Sequence, residues 1–313
     1  MSKNKKSKPI PVRTPDDPET RHRRRKILVN LLGLVAFVAI CWVSVRTMHE
    51  YVDKRVVFPE TPPRVVLKDR PVWMSDLLAE QIVRMARPIG THSTFDHQLL
   101  VTVTQTLEAS PWVKKVRQVR RAYGERPGDT IEIDCEFRAP VALVRWRDYY
   151  WLVDGDGVKL PEQFTEEQLP RIVTGSNGMT NIRVVDGVRR PPVESGQTWP
   201  GDDLAAALDM IKLLHGQPYA DAIVSVDVSN YMGRVDVREA QITLGTRYET
   251  QIRWGEPIRT PDQYSVEASP AEKLARLQQI HEKFGRIDGH QPWLDIRLDK
   301  ITHPTPGLAN SRG

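Results

Sequence analysis

The sequence predicts an α+β protein in two small units behind one N-terminal membrane helix. Three observations carry this. Residues 27–45 form an uncharged stretch of membrane-spanning length. Residues 64–138 read as strand, helix, helix, strand, strand. The rest reads as a mostly antiparallel sheet with two helices.

The stretch ILVNLLGLVAFVAICWVSV spans about 28 Å as a helix, close to the thickness of a bilayer's hydrocarbon. Trp42 lies near one end, and the basic run Arg21 to Lys26 abuts the other. Positive flanks stay cytoplasmic, so the N-terminus is expected inside and the bulk outside. A cleaved signal peptide would have a shorter apolar region ending in small residues. Residues 1–26 are polar and basic and are expected to be disordered. Residues 46–63 read as a stalk, helical to about residue 57 and broken by Pro59, Pro62 and Pro63.

Composition narrows the function classes. The 313 residues are 40% hydrophobic, with net charge +5 and only two Cys. Residues 1–26 carry +7 and the chain from Arg46 carries −2, so the basic character belongs to the tail. A nucleic-acid-binding domain would keep its basic face on the fold. Cys41 lies in the membrane stretch and Cys135 in a predicted strand, so no intramolecular disulfide is expected.

Residues 64–68 read as a short strand. Ser75 is a candidate N-cap for a helix over 76–87 with Leu78, Ile82 and Met85 inward. A second helix starts near 94–96 and places Leu99, Leu100, Val103 and Leu107 on one face. Residues 113–123 form a strand with poor alternation. Residues 130–138 alternate cleanly through Ile131, Ile133, Cys135 and Phe137. Residues 141–147 continue extended. The strands 149–153 and 158–160 flank Asp154-Gly-Asp-Gly157, a hairpin signal.

Residues 168–174 read as a short extended piece, and 175–201 as a long loop. A helix over 203–215 turns Leu204, Leu208, Ile211 and Leu214 inward. Strands follow at 222–228, 234–238, 241–244 and 248–254. Ser269-Pro-Ala-Glu272 is a capping box that opens a helix to about residue 284, with Leu274, Leu277 and Ile280 inward. Leu294, Ile296 and Leu298 alternate in a last strand. Residues 303–313 read as a flexible tail.

Catalytic motifs are mostly missing: the sequence holds no GxSxG, HExxH, CxxC or GxxxxGK[ST]. His92 and His97 read as solvated loop residues rather than a metal pair. The Asp154 loop lacks the Glu that closes a calcium loop, since Thr165 stands there, and is expected to be a tight turn. Asp202 and Asp203 read as helix-cap residues rather than a glycosidase pair. The run Lys114, Lys115, Arg117, Arg120 and Arg121 reads as a solvated strand face or a contact patch for anionic partners. The expected class is an interaction protein, not an enzyme, with no cofactor and no metal.

Six pieces follow one another in a fixed order: Leu107-Glu-Ala-Ser-Pro-Trp-Val113, Thr130-Ile-Glu-Ile-Asp-Cys-Glu-Phe-Arg-Ala-Pro-Val-Ala142, Trp151-Leu-Val-Asp-Gly-Asp-Gly157, Leu169-Pro170-Arg-Ile-Val-Thr-Gly175, Lys273-Leu274 and Leu294-Asp-Ile-Arg-Leu298. On these, from about residue 64 to 302, the chain resembles the FtsQ/DivIB family of bacterial division proteins. The order and spacing of the pieces behind one anchor carry the resemblance. The chain departs from the family at Leu298, where Tyr is usual, and in the length of the 175–201 excursion. The resemblance implies a POTRA-like domain over 64–140 and a β domain over 141–302. It implies a bitopic scaffold of the divisome in the inner membrane at the septum, with FtsB- and FtsL-like partners outside the membrane. Other division proteins would dock on the POTRA-like half. The family's partner strand adds along the C-terminal edge, which corresponds here to Trp293, Leu294, Asp295, Ile296, Arg297, Leu298, Asp299, Lys300 and Ile301. A POTRA-bearing envelope assembly or transport component is the alternative. A membrane-anchored envelope enzyme is a third reading.

Overall fold

The computed structural model describes residues 18–56, 62–90, 92, 96–124, 127–169, 182–258 and 265–304. Helix α1 runs from Pro18 to Val56, so the basic residues expected to be disordered form its first turns from residue 18 onward. Its segment Arg25–Tyr51 is long and apolar enough to cross a membrane or to serve as a signal sequence. The side chains from Ile27 to Val45 are exposed. A helix that is apolar on every side belongs in an apolar surrounding. Residues 57–61 of the expected stalk lie outside the described residues.

The second body, beginning at residue 62, holds two sheets. β1 (Arg64–Leu67), α2 (Asp76–Ala86), α3 (His97–Glu108), β2 (Val113–Tyr123) and β3 (Pro127–Phe137) follow in the expected order. The sheet order is β1-β3-β2, with β1 parallel and β2 antiparallel to β3. Ser75 caps α2 by accepting from the Leu78 amide at 3.2 Å, and Asp96 caps α3 through Leu99 at 3.2 Å. Leu78, Ala79, Ile82 and Ala86 are the buried face of α2, whereas Met85, expected inward, is exposed. Ala86 takes that place because it lies four residues from Ile82, on the same helix stripe. β2 alternates poorly because its register shifts three times along β3.

The larger sheet has eight strands. They are β4 (Pro140–Trp146), β5 (Tyr149–Asp154), β6 (Lys159–Phe164), β7 (Arg183–Asp186), β8 (Ile223–Asp227), β9 (Ile242–Thr246), β10 (Gln251–Gly255) and β11 (Trp293–Asp295), in the order β11-β10-β9-β8-β7-β4-β5-β6. Four junctions are antiparallel and three parallel, so the sheet is mixed. Parallel neighbours need a crossover. α4 (Asp202–Leu214) lies between β7 and β8, and α5 (Pro270–Phe284) between β10 and β11.

Three expected elements differ. The 175–201 loop contains β7, a central strand with neighbours on both sides. Its run Ile182-Arg-Val-Val185 is short and unalternating, as a strand covered on both faces is. The strand expected at 234–238 does not form. Asn230 Oδ1 accepts from the amides of Val235 and Asp236, each at 2.9 Å, and its amide nitrogen donates to the carbonyls of Asp236, Glu239 and Ala240. A side chain that captures this much backbone holds a loop against a ladder. The piece expected at 168–174 opens instead with a 3-10 turn over Glu166–Gln168, and from residue 170 it lies outside the described residues.

The small sheet and the start of the large one share a core. Leu143, Tyr150, Leu152 and Leu160 pack in one cluster with Ile82, Leu107 and Ile131. A second cluster, with Ala207, Met210, Val226, Ile252, Trp254 and Leu277, lies under α4 and α5. The first cluster crosses residue 140, the expected domain boundary.

Candidate functional site

The nine residues 293–301 begin where α5 delivers the chain to the edge of the large sheet. Ser269 and Glu272 close a capping box, with Glu272 accepting from the Ser269 amide at 2.8 Å. Gly285, at φ 70°, ends the helix in the left-handed region. Lys273 is buried against the sheet. It donates to Glu267 at 2.6 Å and lies 5.2 Å from the Trp254 ring. The same Glu267 oxygen accepts from the Glu256 amide at 2.9 Å. A Cβ at Gly255 (φ 101°) would stand 2.0 Å from it, so position 255 requires glycine.

β11 is shorter than expected. It pairs in parallel with β10 over Trp293, Leu294 and Asp295 only. Leu294 and Ile296 are buried, but Leu298 is 58% exposed and does not continue the alternation. Asp295 causes the break. Its carboxylate accepts from the Arg297 amide at 3.1 Å and from the Arg297 guanidinium at 2.7 to 3.1 Å. This local bond turns the chain before a fourth residue pairs. Burial pushes the Asp295 carboxyl up, but the Arg297 hydrogen bonds and the charges of Arg297 and Arg253 outweigh it. The net value lies below the ordinary carboxylate range. Arg297 is held above its usual value, first by its hydrogen bond to Asp295.

The backbone of this segment is largely occupied by the chain itself. Asp295 donates its amide to the Thr302 carbonyl at 2.8 Å and accepts from the Thr302 amide at 3.0 Å. The Arg297 carbonyl accepts from Ala268 at 2.7 Å. Arg276 of α5 donates to the carbonyls of Ile296, at 3.0 Å, and Leu298. Leu294, Asp295 and Ile296 are buried; Trp293, Arg297 and Ile301 are half-buried; Leu298, Asp299 and Lys300 are exposed. Arg253 stacks 4.9 Å from the Trp293 ring and lies 3.6 Å from Glu239. Side chains at both ends of the segment are therefore presented to solvent, while the backbone between them is closed. Arg276, Ala268 and Thr302 carried no sequence signal for this role, because each acts from a different stretch of chain.

The other candidates resolve into structural roles. Asp154 is buried. Oδ1 accepts from the amides of Asp156 and Val158 at 2.9 and 2.8 Å, and Oδ2 accepts from Arg138 at 2.7 Å. It makes the tight turn expected and ties β3 to the β5–β6 hairpin. Gly201, not an aspartate, is the N-cap residue of α4. Asp203 is buried and takes the Arg189 amide at 2.9 Å and Arg234 at 3.0 Å. The basic run on β2 faces acids on β3: Arg120 meets Glu132 at 2.7 Å, and Arg117 lies near Asp134 and Glu136. Lys114 meets Asp156 at 2.7 Å.

Cys41 and Cys135 are both free, and burial pushes the Cys135 thiol up to about 11. Among the described residues no three His, Cys, Asp or Glu gather as a metal site. No protein-family model matches the chain, and no curated protein matches its sequence.

Proposed function

We propose that the chain is a non-enzymatic bitopic membrane scaffold of the bacterial divisome, similar to the FtsQ/DivIB family. In this reading α1 is an uncleaved anchor with its N-terminus in the cytoplasm. The β1-α2-α3-β2-β3 unit is a POTRA-like domain and the eight-stranded sheet is the β domain. One observation carries the reading: a β-α-α-β-β unit precedes a mixed sheet whose last strand lies at an edge, and an N-terminal apolar helix precedes both in the chain. That is the arrangement the sequence resemblance implies.

Partners similar to FtsB and FtsL engage the segment 293–301 outside the membrane. Edge strands recruit a partner strand because their outward N–H and C=O groups lack partners. Here Thr302 holds the Asp295 position. The partner therefore first contacts the exposed side chains of Leu298, Asp299 and Lys300, together with Trp293, and then takes the place of Thr302. Other division proteins dock on the POTRA-like half.

Localisation of a fluorescent full-length fusion in dividing cells tests the scaffold reading. A band at the division site is expected, and an even distribution over the membrane overturns it. Substituting Leu298→Glu in the same fusion tests the edge. The folded variant is expected to lose co-purification of small coiled-coil membrane proteins, and unchanged co-purification moves the site elsewhere.

A further inference from the structure

We propose that the groove between β1 and α2 binds an extended acidic segment of a partner polypeptide, which adds to the small sheet as a fourth strand. The proposal stands independently of the division-scaffold reading.

The backbone of β1 is the first reason. β1 is an edge strand paired only with β3. The Lys68 amide donates to the Ile133 carbonyl at 2.9 Å, so the even-numbered amides of this stretch face β3. Alternation then turns the N–H and C=O groups of Val65 and Leu67 outward. They have no backbone partner among the described residues. The opposite edge of this sheet, β2, is unlike it: its three register shifts disturb any regular ladder.

The groove beside that edge is the second reason. It measures about 620 Å3 and lies between β1 and one face of α2. Ala79 and Val83 supply an apolar floor next to Val65. An added strand would lie about 4.8 Å from β1 and set alternate side chains onto that floor.

Charge decides what kind of strand fits. Arg64, Arg84 and Arg87 line the groove, are exposed, and have no ion-pair partner among the described residues. Arg70 is matched by Asp76 at 2.5 Å, so that pair cancels. Among the described residues Glu80 is the one acid of the lining without an ion pair, which leaves the groove at about +2. A second copy of β1 would bring its own Arg64 to this surface and is disfavoured. An acidic strand supplies both the missing charge and the missing backbone hydrogen bonds.

The test uses full-length protein in a neutral detergent and fluorescein-labelled octapeptides read by anisotropy. One alternates Asp and Val. One alternates Lys and Val. The third is the Asp-Val peptide N-methylated at alternate residues, which keeps its charge but cannot form the ladder. Binding of acidic peptides to the basic N-terminal tail is common to the first and third and is subtracted by their comparison. The Asp-Val peptide is expected to bind at least tenfold more tightly than either of the others. The double variant Arg84→Glu with Arg87→Glu is expected to weaken it at least tenfold and to make the Lys-Val peptide the better ligand. That swap cannot arise from unfolding. Equal binding of the Asp-Val and N-methylated peptides, or unchanged affinity in the double variant, overturns the proposal.

Discussion

Two edges of the folded body offer the same backbone chemistry and differ in how they are finished. β11 leaves the large sheet closed from Asp295 onward: Thr302 takes both groups of Asp295, Ala268 takes the Arg297 carbonyl, and Arg276 takes Ile296 and Leu298. β1 leaves the small sheet with Val65 and Leu67 turned outward and, beside them, arginines that have no ion-pair partner among the described residues. An edge is therefore not a binding site by virtue of being an edge. What decides is whether other stretches of the same chain reach its outward groups first. A partner at β11 competes with the protein's own chain, whereas at β1 none of the described residues holds the outward groups.

The largest effect should come from loosening the closed edge at its root. Ile296 is 0% exposed, and Ile296→Ala is expected to cost about 2–5 kcal/mol of stability in chemical denaturation. Asp295→Asn comes next, at about 1.5–3 kcal/mol, because it removes a charged acceptor from Arg297 and its amide. Its pH dependence has a definite sign. The Asp295 carboxyl is held below its usual value in the fold. Its contribution is thus full above the unfolded value of about 4 and is lost as pH falls through the depressed folded value. Wild type and Asp295→Asn should converge in stability on acidification below about pH 4. A constant gap down to pH 2 would show that the carboxylate charge is not what holds the turn.

Arg276→Ala should cost about 1–3 kcal/mol by leaving two carbonyls without their donor. Its more informative readout is hydrogen exchange. The amides of 297–302 are expected to exchange faster while those of β9 and β10 are unchanged. Ser269→Ala should cost about 1 kcal/mol through loss of the α5 cap. The smallest effect is expected at the open edge. Arg84→Glu with Arg87→Glu should change stability by no more than about 0.5 kcal/mol, since both side chains are exposed and have no ion-pair partner among the described residues. If that double variant unfolds the small unit, the two edges are less different than their hydrogen bonding indicates.

Local chemistry was legible in the sequence wherever one stretch contained its own reason. Ser75 and the Ser269–Glu272 box cap the helices they precede, and α3 begins just after the expected start at 94–96. The alternation of Ile131, Ile133 and Cys135 marks the buried face of β3. Where the reason lay elsewhere in the chain, the reading failed. Val235 and Val237 look like a strand, yet they are 77% and 85% exposed because Asn230 holds their loop. Leu298 continues the spacing of Leu294 and Ile296, yet the chain has turned at Asp295. β7 lacked alternation because both of its faces are covered, Val185 packing in one core cluster and Val184 against the other, which no window of four residues reveals.

The sequence alone determined the apolar N-terminal helix, the β-α-α-β-β order and the caps of α2 and α5. These depend on charge, hydrophobic period and side chains within a few residues of the backbone they serve. Only the tertiary structure decided which edge is closed and which is open. That outcome depends on Arg276, Ala268 and Thr302 converging on β11 from separate segments, and on none of the described residues doing so at β1. Hydrogen-bond satisfaction at an edge is a property of three-dimensional neighbours, and linear spacing does not encode it.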